Sequence, residues 1–182
     1  MARPDSRHAI LDAAEAIVGQ SGAARMTLDA VAKRSGVSKG GLIYHFPTKE
    51  ALLQAMIDRM MRRADLMREE IRRKFPEERS NHLAVEMRVF QQGAEQKRPQ
   101  SVALLAAIAA NPDLTSGARE EMSRHFNAHI ISRGDFNRSA ILFLAAMGMH
   151  FLDLLNLSFL TKEQKEEIQK ELLRLATGSE GM

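Results

Sequence analysis

Apolar residues recur at three- and four-residue intervals along almost the whole of this chain, and no run alternates apolar and polar residues between turn signals. A chain patterned only for helices buries its apolar stripes by packing helix on helix, so the fold class is all-α. Nine helices are expected. The first covers residues 5–18, with Ile10, Leu11, Ala14, Ile17 and Val18 on one face and Gly19 and Gly22 closing it. Thr27 caps a second helix, whose inner face is Leu28, Val31 and Ala32 and which Gly36 ends. A short third helix over 39–45 stops before Pro47. Thr48 caps a long fourth, 49–74, broken by Phe75-Pro76. Five more follow at 81–96, 101–110, 116–132, 138–157 and 162–176. Thr161 and Gln164 have capping-box spacing before the last, and Gly178 is a natural stop.

A domain boundary is expected just after Pro47, giving a small front domain, 1–48, and a larger back one, 49–182. Charge follows a similar division. Residues 1–74 carry a net +5 and residues 75–182 a net −2, which suits a polyanion partner at the front. The chain has 182 residues, 45% of them apolar, enough for a real core. The absence of cysteine excludes disulfides, thiolate metal sites and a cysteine nucleophile, and suits a reducing, cytoplasmic setting. The N-terminus is charged and lacks the apolar run of a secretion signal. The most apolar stretch, 140–160, is interrupted by His150, Asp153, Asn156 and Ser158. An ionised Asp near the middle of a membrane span is costly, so no membrane insertion is expected.

Residues 27–45 read TLDAVAKRSGVSKGGLIYH. Two helical segments flank Ser35-Gly36-Val37-Ser38, a short turn containing glycine. Leu28, Ala32, Gly36 and Leu42 have helix-turn-helix spacing, with Ala32 small where the helices cross and Val37 and Leu42 packing the corner. The exposed positions have the chemistry for DNA. Thr27 places a hydroxyl and the first amides of a helix where a phosphate can meet them. Ser38 and Lys39 open the second helix with a small donor and a cation. Gly40 and Gly41 leave room for backbone to approach a duplex, although a loosely wound helix start explains them as simply. Tyr44 and His45 are expected outward, towards phosphates, and Phe46 inward. Lys49 opens the long helix, a favourable place for a phosphate contact.

The stretch 10–55, ILDAAEAIVGQSGAARMTLDAVAKRSGVSKGGLIYHFPTKEALLQA, resembles the DNA-binding domain of the TetR family of bacterial repressors. The matching features are Ala-Ala in the first helix, Gly22, Thr27, Val31-Ala32, Gly36-Val37-Ser38, Leu42, Tyr44-His45-Phe46 and Lys49-Glu50-Ala51-Leu52. LLAAIAANPDL at 104–114 is similar to a C-terminal subtype of that family. The resemblance implies a nine-helix fold, with a three-helix helix-turn-helix domain and a helical effector-binding and dimerisation domain. It also implies homodimers on palindromic double-stranded operators, most of them responsive to a small molecule. Carried over residue by residue, it implies DNA contacts at Thr27, Ser38, Lys39, Gly40, Tyr44, His45 and Lys49. Gly41 and Ile43 stand where many members carry larger polar or aromatic groups. Base readout would therefore lean on Lys39, the Gly40 backbone and apolar contact to thymine methyls. Arg3 and Arg7 are candidates for a basic arm reaching DNA.

In the back half, residues 139–160 are apolar nearly all round, so a helix there must bury more than one side. One side suits its own domain and the other a second subunit. Together with a last helix carrying Ile168, Leu172, Leu173, Leu175 and Ala176, it would form, as the resemblance implies, a four-helix homodimer interface through residues 138–157 and 162–176, the alternative being a wholly intramolecular core. Met60, Met61, Met67, Met87, Phe90, Met122, Phe126, Phe143, Met147 and Met149 are candidates to line an apolar effector cavity, since methionine suits adaptable surfaces, although such stripes also serve as plain core. His125 and His129 have a spacing compatible with metal but no third ligand, so no metal site and no cofactor are expected. His150 reads as a core or interface histidine.

Two DNA-binding readings follow: a repressor released from its operator by a small molecule, and a constitutive DNA-binding protein without an effector. A third reading, an enzyme, finds no Gly-rich phosphate loop, paired-carboxylate motif or nucleophile elbow in the sequence.

Overall fold

The computed structural model describes residues 5–93, 98–127 and 136–178. Among these residues there are nine α-helices and no strand. They are α1 (Asp5–Ser21), α2 (Leu28–Ser35), α3 (Lys39–His45), α4 (Lys49–Lys74), α5 (His82–Gly93), α6 (Arg98–Ala110), α7 (Ser116–His125), α8 (Phe136–Leu154) and α9 (Lys162–Thr177). The all-α class and the helix count are as the sequence suggests.

The boundaries differ where a cap decides them. Gly19 stays inside α1, and Gly22 at φ 82° ends the helix. α8 stops at Leu154 rather than 157 because Asn156 is left-handed, at φ 60°. The Leu157 amide then donates to the Leu152 carbonyl and the Asn156 amide to the Asp153 carbonyl, the Schellman arrangement that satisfies a helix end. Asn81 stays outside α5 and caps it, accepting from the Ala84 amide. The Thr161–Gln164 capping box at α9 is complete in both directions.

The chain forms two compact units: residues 1–62 with 97–119, and residues 63–96 with 120–182. The first holds α1–α3, the front half of α4, and α6. Ile10, Ala14 and Val18 of α1, Val31 of α2, Leu42 of α3 and Leu52 of α4 are fully buried in one core. Burying each such side chain contributes about 1.5–3 kcal/mol. Leu104 of α6 and Leu114 beyond it complete that core, and α6 packs along α1. The division expected after residue 48 therefore falls inside this unit. The helix-turn-helix alone does not cover its own core, and α4 and α6 supply the missing walls.

In the second unit, α5, α8 and α9 enclose Leu83, Met87, Leu142, Phe143, Ala146 and Leu172. A smaller cluster joins Ile71, Val85 and Val89, with Met67 and Phe75 against it. Two ion pairs flank that cluster. Arg68 meets the buried Glu86, and Arg88 meets Glu78 while its guanidinium lies 3.5 Å over the Phe75 ring. A carboxylate as buried as Glu86 needs such a partner, because leaving it unpaired costs several kcal/mol, about 3–5.

Candidate nucleic-acid interface

Three features fix the corner between α2 and α3. Gly36 adopts φ 69°, a conformation that costs other residues roughly 1–2 kcal/mol, and so turns the chain out of α2. The Ser38 hydroxyl accepts from the Gly41 amide at 3.1 Å and starts α3. Leu42 and Phe46 then pin α3 to the core, at 0% and 3% exposure. The short helix is thus anchored on one side, and its other side faces solvent.

The solvent side carries most of the expected contact residues. Thr27, Ser38, Lys39, Gly40 and Tyr44 are all exposed, Tyr44 by 79%. Thr27 and Ser38 each use one oxygen lone pair as a cap, Thr27 accepting from Ala30 at 3.1 Å. Each hydroxyl hydrogen stays available to donate. Lys39 is already engaged: its Nζ lies 2.8 Å from Asp29 Oδ1 in the first turn of α2. Lys49 is engaged too, its Nζ donating to the Ala24 carbonyl at 3.1 Å. It braces the single 3-10 turn before α2 in the state described.

Three expectations need adjustment. His45 does not point wholly outward. It is half-buried, edge-on to Tyr44 with ring centroids 5.4 Å apart, and its Nε2 is buried without a hydrogen-bond partner. Gly41 has a reason inside the fold, because a Cβ there would sit 3.0 Å from Val37 Cγ1 and 3.2 Å from Ser38 Oγ. Of the two adjacent glycines, Gly40 is the one that opens onto free space. Ile43 is 42% exposed, the apolar surface expected beside it. Arg7 is not a loose arm: its guanidinium lies 5.3 Å from the centre of the Phe46 ring. Arg3 lies outside the described residues.

The effector candidates divide. Met87, Phe90, Phe126, Phe143 and Met147 share the apolar cluster of the second unit. Phe90 and Phe126 flank Phe143 with ring centroids 5.7 and 5.3 Å away. Met60 instead packs on the core of the first unit, and Met122 is 46% exposed. A cleft against this cluster is lined by Met87, Phe90, Met149, His150, Asp153 and Gln169, among others, and leaves about 10 Å³ for the centre of a water molecule. The sequence points to three of these, Met87, Phe90 and Met149, as effector candidates. Ala146, His150 and Asp153 were legible in part, since with Met149 they follow helical i, i+3, i+4, i+7 spacing. Burial pushes the His150 imidazole below its ordinary value of 6.5, against the opposing pull of the Phe90 backbone and Asp153. Its Nδ1 is buried with no hydrogen-bond partner. Asp153 pairs with Lys165 at 2.8 Å. His129 and the side chain of His125 lie outside what is described.

α8 divides as its composition suggests. Leu142, Phe143, Ala146 and Leu154 face inward, while Ile141, Leu144, Ala145, Gly148, Phe151 and Leu155 form an exposed stripe. Ile168 of α9 is also exposed. No described helix is long and apolar enough to cross a membrane.

The chain matches two family models: the tetR family of bacterial regulatory proteins over residues 10–56, and the tetracyclin repressor-like C-terminal domain over residues 81–177. It is 37% identical over 68 residues to the HTH-type transcriptional regulator EthR of Mycobacterium tuberculosis, a match covering 36% of this chain and 32% of EthR. It is 39% identical over 54 residues to the HTH-type transcriptional regulator TtgR of Pseudomonas putida, covering 30% of this chain and 26% of TtgR. These matches span about a third or less of each relative's length. Among solved structures, the multidrug binding protein EbrR in complex with malachite green shares the fold, with a TM-score of 0.69 at 23% identity over 94% of this chain and 98% of that one.

Proposed function

From the tetR family of bacterial regulatory proteins, to which this chain belongs, we propose a transcriptional repressor that binds a palindromic operator as a homodimer and leaves it when a small molecule binds. The observation that carries the DNA reading is the α3 surface. A short helix, capped by Ser38 and anchored by Leu42 and Phe46, presents Lys39, Gly40 and Tyr44 to solvent. A major groove admits one such helix, with backbone and cations meeting phosphates beside it. The contact set is Thr27, Ser38, Lys39, Gly40, Tyr44 and Lys49, with His45 orienting Tyr44 from the inner edge.

The exposed stripe of α8, with Ile168 of α9, supports the homodimer. An apolar face of this length on a helix whose other face is already buried is the mark of an interaction surface. Ala145 and Gly148 let a second α8 approach closely. Two copies would place two recognition helices on half-sites about one helical turn apart.

Effector release would act through α4, which runs from the first unit into the second. A ligand favouring one dimer state would shift the spacing of the two α3 helices. A constitutive DNA-binding protein is the second reading, and the narrowness of the cleft favours it. Met87 and Met149 are the side chains whose flexibility favours opening.

The test is selection of bound fragments from genomic DNA, followed by titration of the selected duplex and a random duplex of equal length. Enrichment of a two-fold symmetric sequence is expected, and no enrichment over input would sink the DNA reading. Titration of the preformed complex with malachite green then separates the two regulatory readings. Release of the duplex supports effector control, whereas retention across the dye's soluble range favours constitutive binding.

A further inference from the structure

Lys39 stands at the first position of α3, where a cation serves either a phosphate or a base edge. The structure pairs it with Asp29 of α2 across 2.8 Å, with both side chains well exposed, at 64% and 70%. An acidic group on a surface that meets DNA is unfavourable, since each phosphate repels it. The Thr27 hydroxyl already caps α2, so the helix does not depend on Asp29 for its start. Asp29 in the first turn of α2 also favours the helix dipole, but by only about 0.3–1 kcal/mol, and that benefit leaves room for a second role at the DNA surface.

We propose that Asp29 is a specificity-determining residue: it holds Lys39 as a base reader and keeps it from serving as a general phosphate clamp. This rests on the DNA reading above. A duplex offers phosphates everywhere, and a free Lys39 would gain from all of them, releasing a counterion each time. Asp29 removes most of that gain, because the lysine charge is already compensated. A site with acceptors within reach of Nζ, the O6 and N7 of guanine, recovers the interaction without parting the pair, since an ammonium carries three donors. The Asp29 charge then penalises every duplex alike, while Lys39 rewards only the sequence with that acceptor edge. This is specificity by weakening the competitor. Exposed ion pairs contribute little to stability, so the pair is not needed to hold α2 on α3. That contact is made by Val31, Ala32 and Leu42.

The experiment compares the full-length parent with Asp29→Asn, Asp29→Glu, Lys39→Ala and the double variant Asp29→Asn/Lys39→Ala. Each is titrated with the genomically selected duplex and with a random duplex of equal length over a salt series. Asp29→Asn is expected to bind the random duplex roughly two- to fivefold more tightly, the range an exposed ion pair spans. Its random-duplex salt slope should steepen by about 0.9, one phosphate contact. The preference for the selected duplex should fall by a similar factor. Asp29→Glu, which keeps the charge, should restore the parent values, and Lys39→Ala should abolish the effect of Asp29→Asn on the slope. A slope change in Asp29→Asn that persists without Lys39 would show bulk charge alone and overturn the proposal. An unchanged preference in Asp29→Asn would overturn it as well. A parent that binds neither duplex would instead refute the DNA reading itself, so the two failures are distinguishable.

Discussion

Arg59 of α4 donates to the Asp12 carboxylate of α1 through Nη2, while its Nε lies 3.7 Å from the buried Glu15. The long helix is thus tied to the first helix of the DNA-binding unit by charge as well as by Leu52, Leu53 and Met56. Arg59→Ala removes a partner from a carboxylate that is only 6% exposed. The expected loss is about 2 kcal/mol, that of a charged hydrogen bond with part of a desolvation cost. Denaturant unfolding checks it. A loss below a few tenths of a kcal/mol would mean the pair is merely a surface contact.

Tyr44 and Lys49 differ in what they do for the fold. Tyr44→Ala should leave the unfolding midpoint unchanged, because the ring is largely exposed, and should weaken operator binding. Lys49→Ala should cost about 1 kcal/mol of stability through the lost bond to Ala24. It should also reduce the salt slope by about 0.9 if the lysine turns to a phosphate when DNA binds. A slope equal to the parent's would mean that Lys49 acts only as a brace.

The two adjacent glycines of α3 should respond differently to alanine. At Gly40 the added methyl meets nothing, so the helix gains about 1 kcal/mol. At Gly41 the same gain is opposed by Val37 Cγ1 and by the capping Ser38 hydroxyl. The measured midpoint should rise more for Gly40→Ala, yet that variant should lose operator affinity, since its backbone is the one open to a duplex. Equal shifts at both positions would contradict the corner geometry.

Leu144 lies near the middle of the exposed α8 stripe, at 57% exposure. Leu144→Glu puts a charge on the face proposed to pair with a second α8. Sedimentation should show monomer where the parent is dimer. Operator affinity should fall roughly tenfold or more, since each tenfold is only 1.4 kcal/mol of lost coupling. A dimer of undiminished strength would place the interface elsewhere.

His150 gives the protein a pH signature. Burial holds its folded value below 6.5, so the folded state favours the neutral ring. Its stabilising contribution is complete above the unfolded value and is lost as pH falls through the folded one. The unfolding midpoint of the parent should therefore drop on acidification below about pH 6.5, with a shallower drop in His150→Gln. Parallel curves would assign the acid sensitivity to other groups.

The helix-turn-helix was legible because its signals are short-range. Apolar spacing placed α1 to α4, and caps within three or four residues placed the ends of α2 to α4, while α1 runs three residues past its expected end, to Ser21. The bounds of α4 agree at both ends, where Thr48 and Phe75-Pro76 act locally. α8 was placed three residues too long at its C-terminus, because a left-handed Asn156 is a conformational choice and not a pattern. The cleft was only partly legible. A Met or Phe stripe looks the same whether it lines a space or fills one, and the closeness of Phe90, Phe126 and Phe143 is what leaves so little room.

The sequence by itself determined the helical class, the register of the reading helix and, His45 apart, the residues on its outer face, since each depends on neighbours within a turn or two. Tertiary structure alone decided what those residues touch. Lys39 finds Asp29, Lys49 finds a carbonyl 25 residues away, and Arg59 finds Asp12 at a separation of 47. It also decided that α6 belongs to the DNA-binding unit, completing a core that the first four helices leave open. The physical reason is the same in each case. Apolar burial sets which helices meet without regard to their separation in the chain, and the charged side chains pair with whatever that packing brings near.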